Sequence, residues 1–137
     1  MVDDGFLKFV ETNVFIYVVT AHPDFGDVAK EILTRIEKGE QAVTSTLVIA
    51  EVSAWLEYHK MKDKIATFFE ALESYPSLTK IETTYDDMLK AGKLADRYRL
   101  EFFDGVYLSQ MLKIGVTEIY SNDRGFDRVP EVKRVFE

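Results

Sequence analysis

The sequence predicts an α/β fold of three layers, helix, sheet and helix, around a short and mostly parallel central sheet. Short apolar segments of strand length alternate with longer amphipathic segments along all 137 residues. The connections between these short segments are long enough to hold helices, as parallel strands require. Prolines and glycines stand singly, and no repeat or linker interrupts the pattern. Residues 1–137 are therefore expected to form one domain.

The first half of the chain begins this alternation, and two of its helices have candidate caps. In chain order, the expected elements are a strand at 6–10, an apolar segment at 14–20 that fits either a strand or a buried helix, a helix at 24–38, a strand at 41–44, and helices at 45–59 and 62–73. Asp24 is expected to cap the first of these helices, and Ser45 or Thr46 the second.

The second half continues the pattern to the end of the chain. The expected elements are a strand at 78–82, helices at 84–99 and 104–113, a strand at 116–120 and a last strand at 132–136. Asp104 is expected to open the second of these helices, and Gly115 to end it. Because parallel α/β sheets gather functional side chains at the carboxyl ends of their strands, residues that follow strands are the first candidates for a site.

Composition excludes several classes of function. The chain has no cysteine, which excludes a disulfide scaffold, a thiol nucleophile and a cysteine zinc site. Its glycines are too far apart for a dinucleotide-binding or phosphate-binding loop. The longest apolar run, residues 14–19, is far shorter than a membrane helix, and the N-terminus lacks a signal peptide pattern, so a cytoplasmic protein is expected. A net charge of −7 argues against an extended phosphate-binding surface.

Four acids occur where water is expected to be scarce. Glu11 follows the first strand, Glu51 lies within an apolar helix, Asp104 opens a helix after two phenylalanines, and Asp123 follows the fourth strand. Each has an ordinary structural alternative. Glu11 fits a plain strand end, Glu51 a buried ion pair with Arg or Lys, Asp104 a turn or helix cap, and Asp123 an Asx turn.

Taken together, the four acids favour a metal site over these alternatives. Carboxylates repel one another and lose solvation when they are brought together, unless a cation neutralises them. A site of oxygen ligands without His or Cys selects a hard ion such as Mg²⁺ or Mn²⁺. Such carboxylate sites serve the attack of water on phosphodiesters. The sequence therefore predicts metal-dependent phosphodiester chemistry at one edge of the sheet.

Four segments around these acids give the chain a family resemblance. They are residues 9–17 (FVETNVFIY), 45–52 (STLVIAEV), 103–108 (FDGVYL) and 119–128 (IYSNDRGFDR). With the acids in this order and at this spacing, the chain resembles PIN-domain proteins of the small, single-domain type found as VapC-like toxins of toxin–antitoxin pairs. The resemblance covers nearly the whole length.

The resemblance implies a metal-dependent endoribonuclease that forms a homodimer and is held by a cognate antitoxin protein. By position, Glu11, Glu51, Asp104 and Asp123 would be the catalytic, metal-holding acids. Further residues would position the ligands or the attacking water, and they are Thr12, Asn13 and Ser121, with Asp127 as an auxiliary acid. Asp123 is preferred to Asp127 as the last ligand because it follows the strand sooner.

One departure from the family pattern bears on metal binding. The family begins its motif with aspartate, and this chain has Glu11, whose extra methylene can move a ligand by roughly 1 Å and cost ~10²-fold in rate. The substitution predicts weaker or altered metal binding unless the backbone has adjusted.

Two alternatives to the nuclease interpretation follow from this departure and from the chemistry of the acids. One is a PIN-like protein that binds RNA or a partner without cutting, and the other is a metal-dependent phosphatase. Basic residues that are candidates for RNA contact are Lys60, Lys62, Lys64, Arg97, Arg99, Arg124 and Arg128.

Overall fold

A computed structural model describes residues 7–137, so Phe6, the first residue of the first predicted strand, lies outside the described residues. The elements in chain order are β1 (Lys8–Val10), α1 (Thr12–Val19), α2 (Gly26–Glu37), β2 (Ala42–Ser45), α3 (Thr46–Tyr58), a 3₁₀ turn (Lys62–Lys64), α4 (Ile65–Glu73), β3 (Leu78–Ile81), α5 (Tyr85–Tyr98), α6 (Phe102–Ile114), β4 (Glu118–Tyr120), a second 3₁₀ turn (Arg124–Arg128) and β5 (Lys133–Val135).

The five strands form one sheet in the order β3-β2-β1-β4-β5, and every neighbouring pair is parallel. The predicted fold class is confirmed. The chain leaves β1 toward β2 on one side and later returns to place β4 on the other side. The carboxyl ends of β1 and β4 therefore flank the point at which the strand order reverses, where α/β sheets open a crevice.

Helices cover both faces of this sheet. Phe9 of β1 points to one face, where its ring lies 5.8 Å from that of Tyr107 on α6. Tyr120 of β4 points to the opposite face, where its hydroxyl accepts a hydrogen bond from Arg35 on α2 and donates one to Glu40. Because successive strand residues alternate in direction, the sheet lies between two helical layers.

Two predicted segments differ from the structure in type or extent. The apolar segment at 14–20, for which a strand or a buried helix was expected, is a helix, but α1 begins at Thr12, where Glu11 caps it, and ends at Val19. Residues 62–73 form a short 3₁₀ turn followed by α4 rather than one helix.

Two predicted caps are wrong. Asp24 does not cap α2, which begins at Gly26, because the N–H of Gly26 donates to the carbonyl of His22, and the N–H groups of Asp24 and Phe25 donate to Nδ1 of the same histidine. Asp104 does not open α6, which begins at Phe102, so that Asp104 lies inside the first turn. The cap of α3 is confirmed as Ser45, whose hydroxyl accepts the N–H of Val48.

A buried polar link holds α6 against α5. Asp87, which is 1% exposed, forms a capping box with Thr84 and accepts hydrogen bonds from Gln110 and from Lys113, the latter at 2.7 Å. Burial opposes ionisation of Asp87, but the bonds from Lys113 and Thr84 outweigh it and lower its pKa. Within residues 7–137, no helix is long and apolar enough to span a bilayer.

Candidate metal centre

Three carboxylates from distant parts of the chain meet at the carboxyl ends of β1 and β4. Glu11 directly follows β1, Asp104 lies in the first turn of α6, and Asp123 follows β4 by three residues. One carboxylate oxygen from each lies within 4.8 Å of those of the other two. The reversal of strand order therefore coincides with a concentration of negative charge.

Glu11 is fixed by both its backbone and its side chain. Its N–H donates to the carbonyl of Tyr120 at 3.1 Å, which extends the pairing of β1 with β4 by one residue. Its Oε2 accepts the N–H of Asn13 at 2.9 Å and so caps α1. The side chain is 5% exposed and still reaches the other two acids, so the longer glutamate is accommodated within the group.

The crowding of these acids changes their protonation. Burial raises the pKa of Glu11 well above its usual range, and the charges of Asp104, Glu51 and Asp123 add to this effect. Burial also raises the pKa of Asp104 to about 8, together with the charge of Asp123 and a hydrogen bond to it. When no cation neutralises these groups, Glu11 and Asp104 therefore keep their protons to a higher pH than isolated carboxyl groups do.

A divalent cation fits this group chemically. The three side chains offer only oxygen donors, which hard cations such as Mg²⁺ and Mn²⁺ prefer. A cation bound there would replace the protons that the raised pKa values of Glu11 and Asp104 retain.

Glu51 lies beside the three acids but is not one of them. Its Oε1 accepts hydrogen bonds from Thr12 Oγ1 at 2.5 Å and from the Tyr107 hydroxyl at 2.6 Å. The ordinary alternative, a buried ion pair with Arg or Lys, is wrong, because these two hydroxyls hold the carboxylate. Its charge still contributes to the raised pKa values of Glu11 and Asp104.

Asn13 and Ser121 join the two strand ends that carry Glu11 and Asp123. The Asn13 amide donates to Ser121 Oγ at 3.2 Å and accepts the N–H of Asn122 at 3.2 Å. Ser121 Oγ in turn accepts the N–H of Asp123 at 2.9 Å. Asp123 also accepts the N–H of Gly125 and so closes an Asx turn. The residue therefore forms the turn expected as its structural alternative and also lies in the acidic group.

Asp127 lies outside the group of three acids, and Arg134 links it to the carbonyl of Ser121. Its carboxylate accepts two hydrogen bonds from Arg134, at 3.0 and 3.3 Å, on the exposed surface. The structure thus places Asp123, and not Asp127, beside Glu11 and Asp104.

Sequence reasoning missed Tyr107. Its position inside an apolar helix predicts an ordinary core residue, and its ring does pack on Phe9. The available signal was its hydroxyl, since a fully buried tyrosine almost always has a hydrogen-bond partner. Tyr107 lies three positions after Asp104 and so close to one turn further along the same helix, which places it near the predicted acids.

The seven basic candidates for RNA contact are all exposed. Arg124 directly follows Asp123, and Arg128 donates to the carbonyl of Arg99 at 3.0 Å. Lys60 lies in the turn after α3 and precedes Lys62 and Lys64, whereas Arg97 lies near the end of α5.

A wholly parallel α/β sheet with three carboxylates at its strand-order reversal is an arrangement that can hold a divalent cation. Comparison with known proteins identifies the family. Residues 8–132 match the PIN domain family model, and the chain belongs to the PIN domain family.

Individual PIN-domain proteins resemble the chain over nearly their whole length. Ribonuclease VapC13 of Mycobacterium tuberculosis is 29% identical over 133 residues, which cover 92% of this chain and 97% of the relative. M. tuberculosis VapC20, a sarcin–ricin loop cleaving toxin, superposes with a TM-score of 0.76 at 20% identity, covering 90% of this chain and 95% of that one.

A toxin–antitoxin complex from Klebsiella pneumoniae contains a chain that superposes with a TM-score of 0.67 at 18% identity, covering 92% of this chain and 95% of that one. The two structural likenesses show the shared fold.

Proposed function

We propose that this protein is a metal-dependent endoribonuclease and the toxin of a toxin–antitoxin pair. The observation that carries the proposal is the meeting of Glu11, Asp104 and Asp123 within 4.8 Å of one another at the strand-order reversal. The sequence relative named a VapC ribonuclease, and the family membership of the chain, supply the substrate class.

The acids divide into two roles. Glu11, Asp104 and Asp123 would hold Mg²⁺ or Mn²⁺, and when bound such an ion supplies Lewis-acid stabilisation of the phosphodiester and makes water more acidic. Glu51 stands apart, and we assign it to accepting a proton from the attacking water. Thr12 and Tyr107 orient its Oε1, while Asn13 and Ser121 fix the loop that presents Asp123.

The proposed partners follow from the same relatives. A cognate antitoxin protein would restrain the enzyme, as supported by the fold shared with the Klebsiella pneumoniae toxin–antitoxin complex. We also propose a homodimer that works in the cytoplasm, where RNA and antitoxin are both present.

The test is RNA cleavage by the purified chain with and without Mn²⁺. Cleavage that stops on chelation and falls at least about 100-fold in Asp104→Asn supports the proposal, since a ligand is lost from the cluster. Asp127→Asn, which removes an acid outside the cluster, is the control and should retain activity.

Two results would contradict the nuclease proposal, and each would favour one of the alternative functions. RNA binding without cleavage at any Mn²⁺ or Mg²⁺ concentration would indicate a PIN-like binding protein that does not cut. Turnover of a chromogenic phosphomonoester without RNA cleavage would indicate a phosphatase.

A further inference from the structure

Two exposed phenylalanines directly precede Asp104, a residue of the acidic group. Phe102 and Phe103 begin the first turn of α6, and they are 47% and 40% exposed. Large apolar side chains gain free energy when they leave water, and these two rings are only partly removed from it. The fold therefore leaves aromatic surface in solvent immediately beside a residue that is proposed to hold the metal.

Helix geometry turns the two rings to different sides of α6. Successive residues are about 100° apart around a helix, so Phe103 lies about 40° from Tyr107, and Phe102 lies about 140° from it. Tyr107 faces the site, because its hydroxyl donates to Glu51 at 2.6 Å. Phe103 therefore shares with Tyr107 the side of α6 that is turned to Glu51, whereas Phe102 does not.

The direction of α6 places Phe103 at the open end of the site. The helix begins at the carboxyl ends of the strands, where Asp104 meets the other two acids, and it leads to the start of β4 at their amino ends. Phe103 precedes Tyr107 by four residues, so it lies about 6 Å further out along the helix axis. Helix side chains lean toward the N-terminus, which carries the ring of Phe103 further in the same direction.

Positive charge lies close to the same turn of α6. Arg124 directly follows Asp123, and Arg128 of the same 3₁₀ turn donates to the carbonyl of Arg99 at 3.0 Å, at the end of α5. Within residues 7–137, no carboxylate lies within ion-pair distance of any of the three arginines. A polyanion at the acidic group would therefore meet an aromatic ring and cations together.

We propose that Phe103 determines which bond is cut, because the base of a nucleotide that flanks the cleaved bond stacks on its ring. The proposal rests on the proposed nuclease function and adds a requirement for an accessible base at the cut. Stacking accepts any base, but a purine has the larger π-face, so a purine is preferred at this nucleotide. A base within a duplex must first leave its stack, so a paired base is disfavoured there.

The experiment couples a change in the protein to a change in the RNA. The cleaved bond of a short single-stranded RNA is mapped, and an abasic ribose then replaces each flanking nucleotide in turn. The value of kcat/KM is measured for intact and abasic RNA with the unsubstituted chain and with Phe103→Ala. If the base at one flanking position stacks on Phe103, either change alone should lower kcat/KM by about 10-fold, and both together by about the same factor.

Matched variants separate stacking from a general loss of apolar surface. Phe102→Ala removes a neighbouring ring of similar exposure from the other side of α6, and it should leave kcat/KM within about twofold. Phe103→Tyr keeps an aromatic face and should retain activity, whereas Phe103→Leu keeps only apolar volume and should lose about fivefold or more. The preference for a purine, about threefold or more in the unsubstituted chain, should disappear in Phe103→Ala.

Three results would overturn the proposal. Losses that multiply to about 100-fold at both flanking positions would mean that the ring and the base do not meet. Equal losses in Phe102→Ala and Phe103→Ala would indicate a general effect of exposed apolar surface. A changed oligomeric state of Phe103→Ala in size-exclusion chromatography, with unchanged kcat/KM, would assign the ring to a protein contact.

Binding measurements separate this proposal from the nuclease itself. If RNA is cleaved without coupling between Phe103 and a flanking base, the stacking proposal alone fails. If the chain cuts no RNA with Mn²⁺ or Mg²⁺, the nuclease proposal fails, and the dissociation constants of fluorescein-labelled RNAs are compared by anisotropy, with the abasic ribose moved along the RNA. Coupling of one abasic position to Phe103→Ala would then support stacking on this ring, and its absence at every position would overturn it.

Discussion

Tyr107 illustrates how one buried hydroxyl can define the role of a neighbouring acid. Its ring belongs to the core against Phe9, whereas its hydroxyl lies 2.6 Å from Glu51 Oε1 and 3.4 Å from Thr12 Oγ1. Burial and the bond to Glu51 raise the pKa of this phenol, so the group stays protonated and donates. The hydroxyls of Tyr107 and Thr12 together hold Glu51 Oε1 in one orientation beside the three clustered acids.

Tyr107→Phe should lower kcat for RNA cleavage by about 10-fold, because Glu51 loses the donor that orients it. The Mn²⁺ dissociation constant should change less than threefold, since Glu11, Asp104 and Asp123 are untouched. Cleavage kinetics and calorimetric Mn²⁺ titration measure the two quantities.

Tyr120→Phe is a matched control for this change. Tyr120 is another buried tyrosine whose hydroxyl donates to a carboxylate, Glu40, at 2.6 Å on the opposite face of the sheet. Both variants should lose about 1–3 kcal/mol of unfolding free energy, through the carboxylate left without its donor. Only Tyr107→Phe should lose activity, and equal kcat values in the two variants would contradict the assigned role.

Glu11→Asp tests the departure from the family pattern. The structure shows that Glu11 both caps α1 and reaches the other two acids, so the extra methylene fits this backbone. Shortening the side chain withdraws its oxygens by about 1 Å and should weaken Mn²⁺ binding by about 10-fold. Calorimetry on both proteins decides the matter, and an equal or tighter affinity in Glu11→Asp would show that the glutamate is not adapted to the site.

At the level of elements, the contact between α5 and α6 places Asp104. Gly105 follows Asp104 directly and packs so closely on α5 that an added Cβ would lie 2.7 Å from the carbonyl oxygen of Ala91. Glycine is required here for close approach of two backbones. The position of the first turn of α6 is thus coupled to α5.

Gly105→Ala should therefore destabilise the fold by about 1–3 kcal/mol, because α5 and α6 must separate to admit the methyl group. Gly92→Ala is the control, since its added Cβ would meet nothing within 4 Å on the exposed side of α5. That variant should gain up to about 1 kcal/mol from helix propensity. Urea unfolding gives both values, and similar free energies for the two variants would contradict the close-packing argument.

The sequence predicted the type and order of these elements well, because strand and helix periodicities differ and most connections carry clear breaks. It left 14–20 open, since a short apolar run fits either a strand or a buried helix, and the Glu11 cap that decides the matter is a side-chain contact. The cap at Asp24 failed because the N–H of Gly26, which an Asp24 cap could have bound, donates to the carbonyl of His22 instead. Short-range competition of this kind is not visible in a pattern of residue types.

For the site, the sequence predicted that the acids meet at one edge of the sheet, but it did not separate Glu51 from the other three. Glu11 and Asp123 were found because carboxyl ends of parallel strands share one edge. The separation of Glu51 from the other three depends on Tyr107, which comes from an element 56 positions away. Spacing preferred Asp123 to Asp127, but it could not show that Asp127 is held by Arg134 of the last strand.

For the molecule as a whole, the acidic cluster links stability to pH. Asp104 has a pKa of about 8 in the folded chain and about 3.9 when unfolded, so the folded state binds more protons between these values. The free energy of unfolding contributed by this group therefore falls as pH rises from about 4 to about 8. Glu11, whose pKa is also raised, contributes in the same direction.

In a chelating buffer, the unfolding free energy of Asp104→Asn relative to that of the unsubstituted protein should accordingly increase by about 2 kcal/mol or more when the pH is raised from 5 to 8. Chemical denaturation at the two pH values measures this difference. Asp127→Asn, which removes an acid outside the cluster, should show no such gain. A gain of equal size in both variants would mean that net charge, rather than the cluster, governs the pH dependence.

The cluster also determines when the protein can first act during its synthesis. Glu11 is made early, but its neighbours in space, β4 and Asp123, belong to the last fifth of the chain. A growing polypeptide cannot place β4 beside β1 until residue 120 has been made, and until then only part of the acidic group exists. A ribosome that stops before this point releases a fragment in which the proposed nuclease site cannot be assembled.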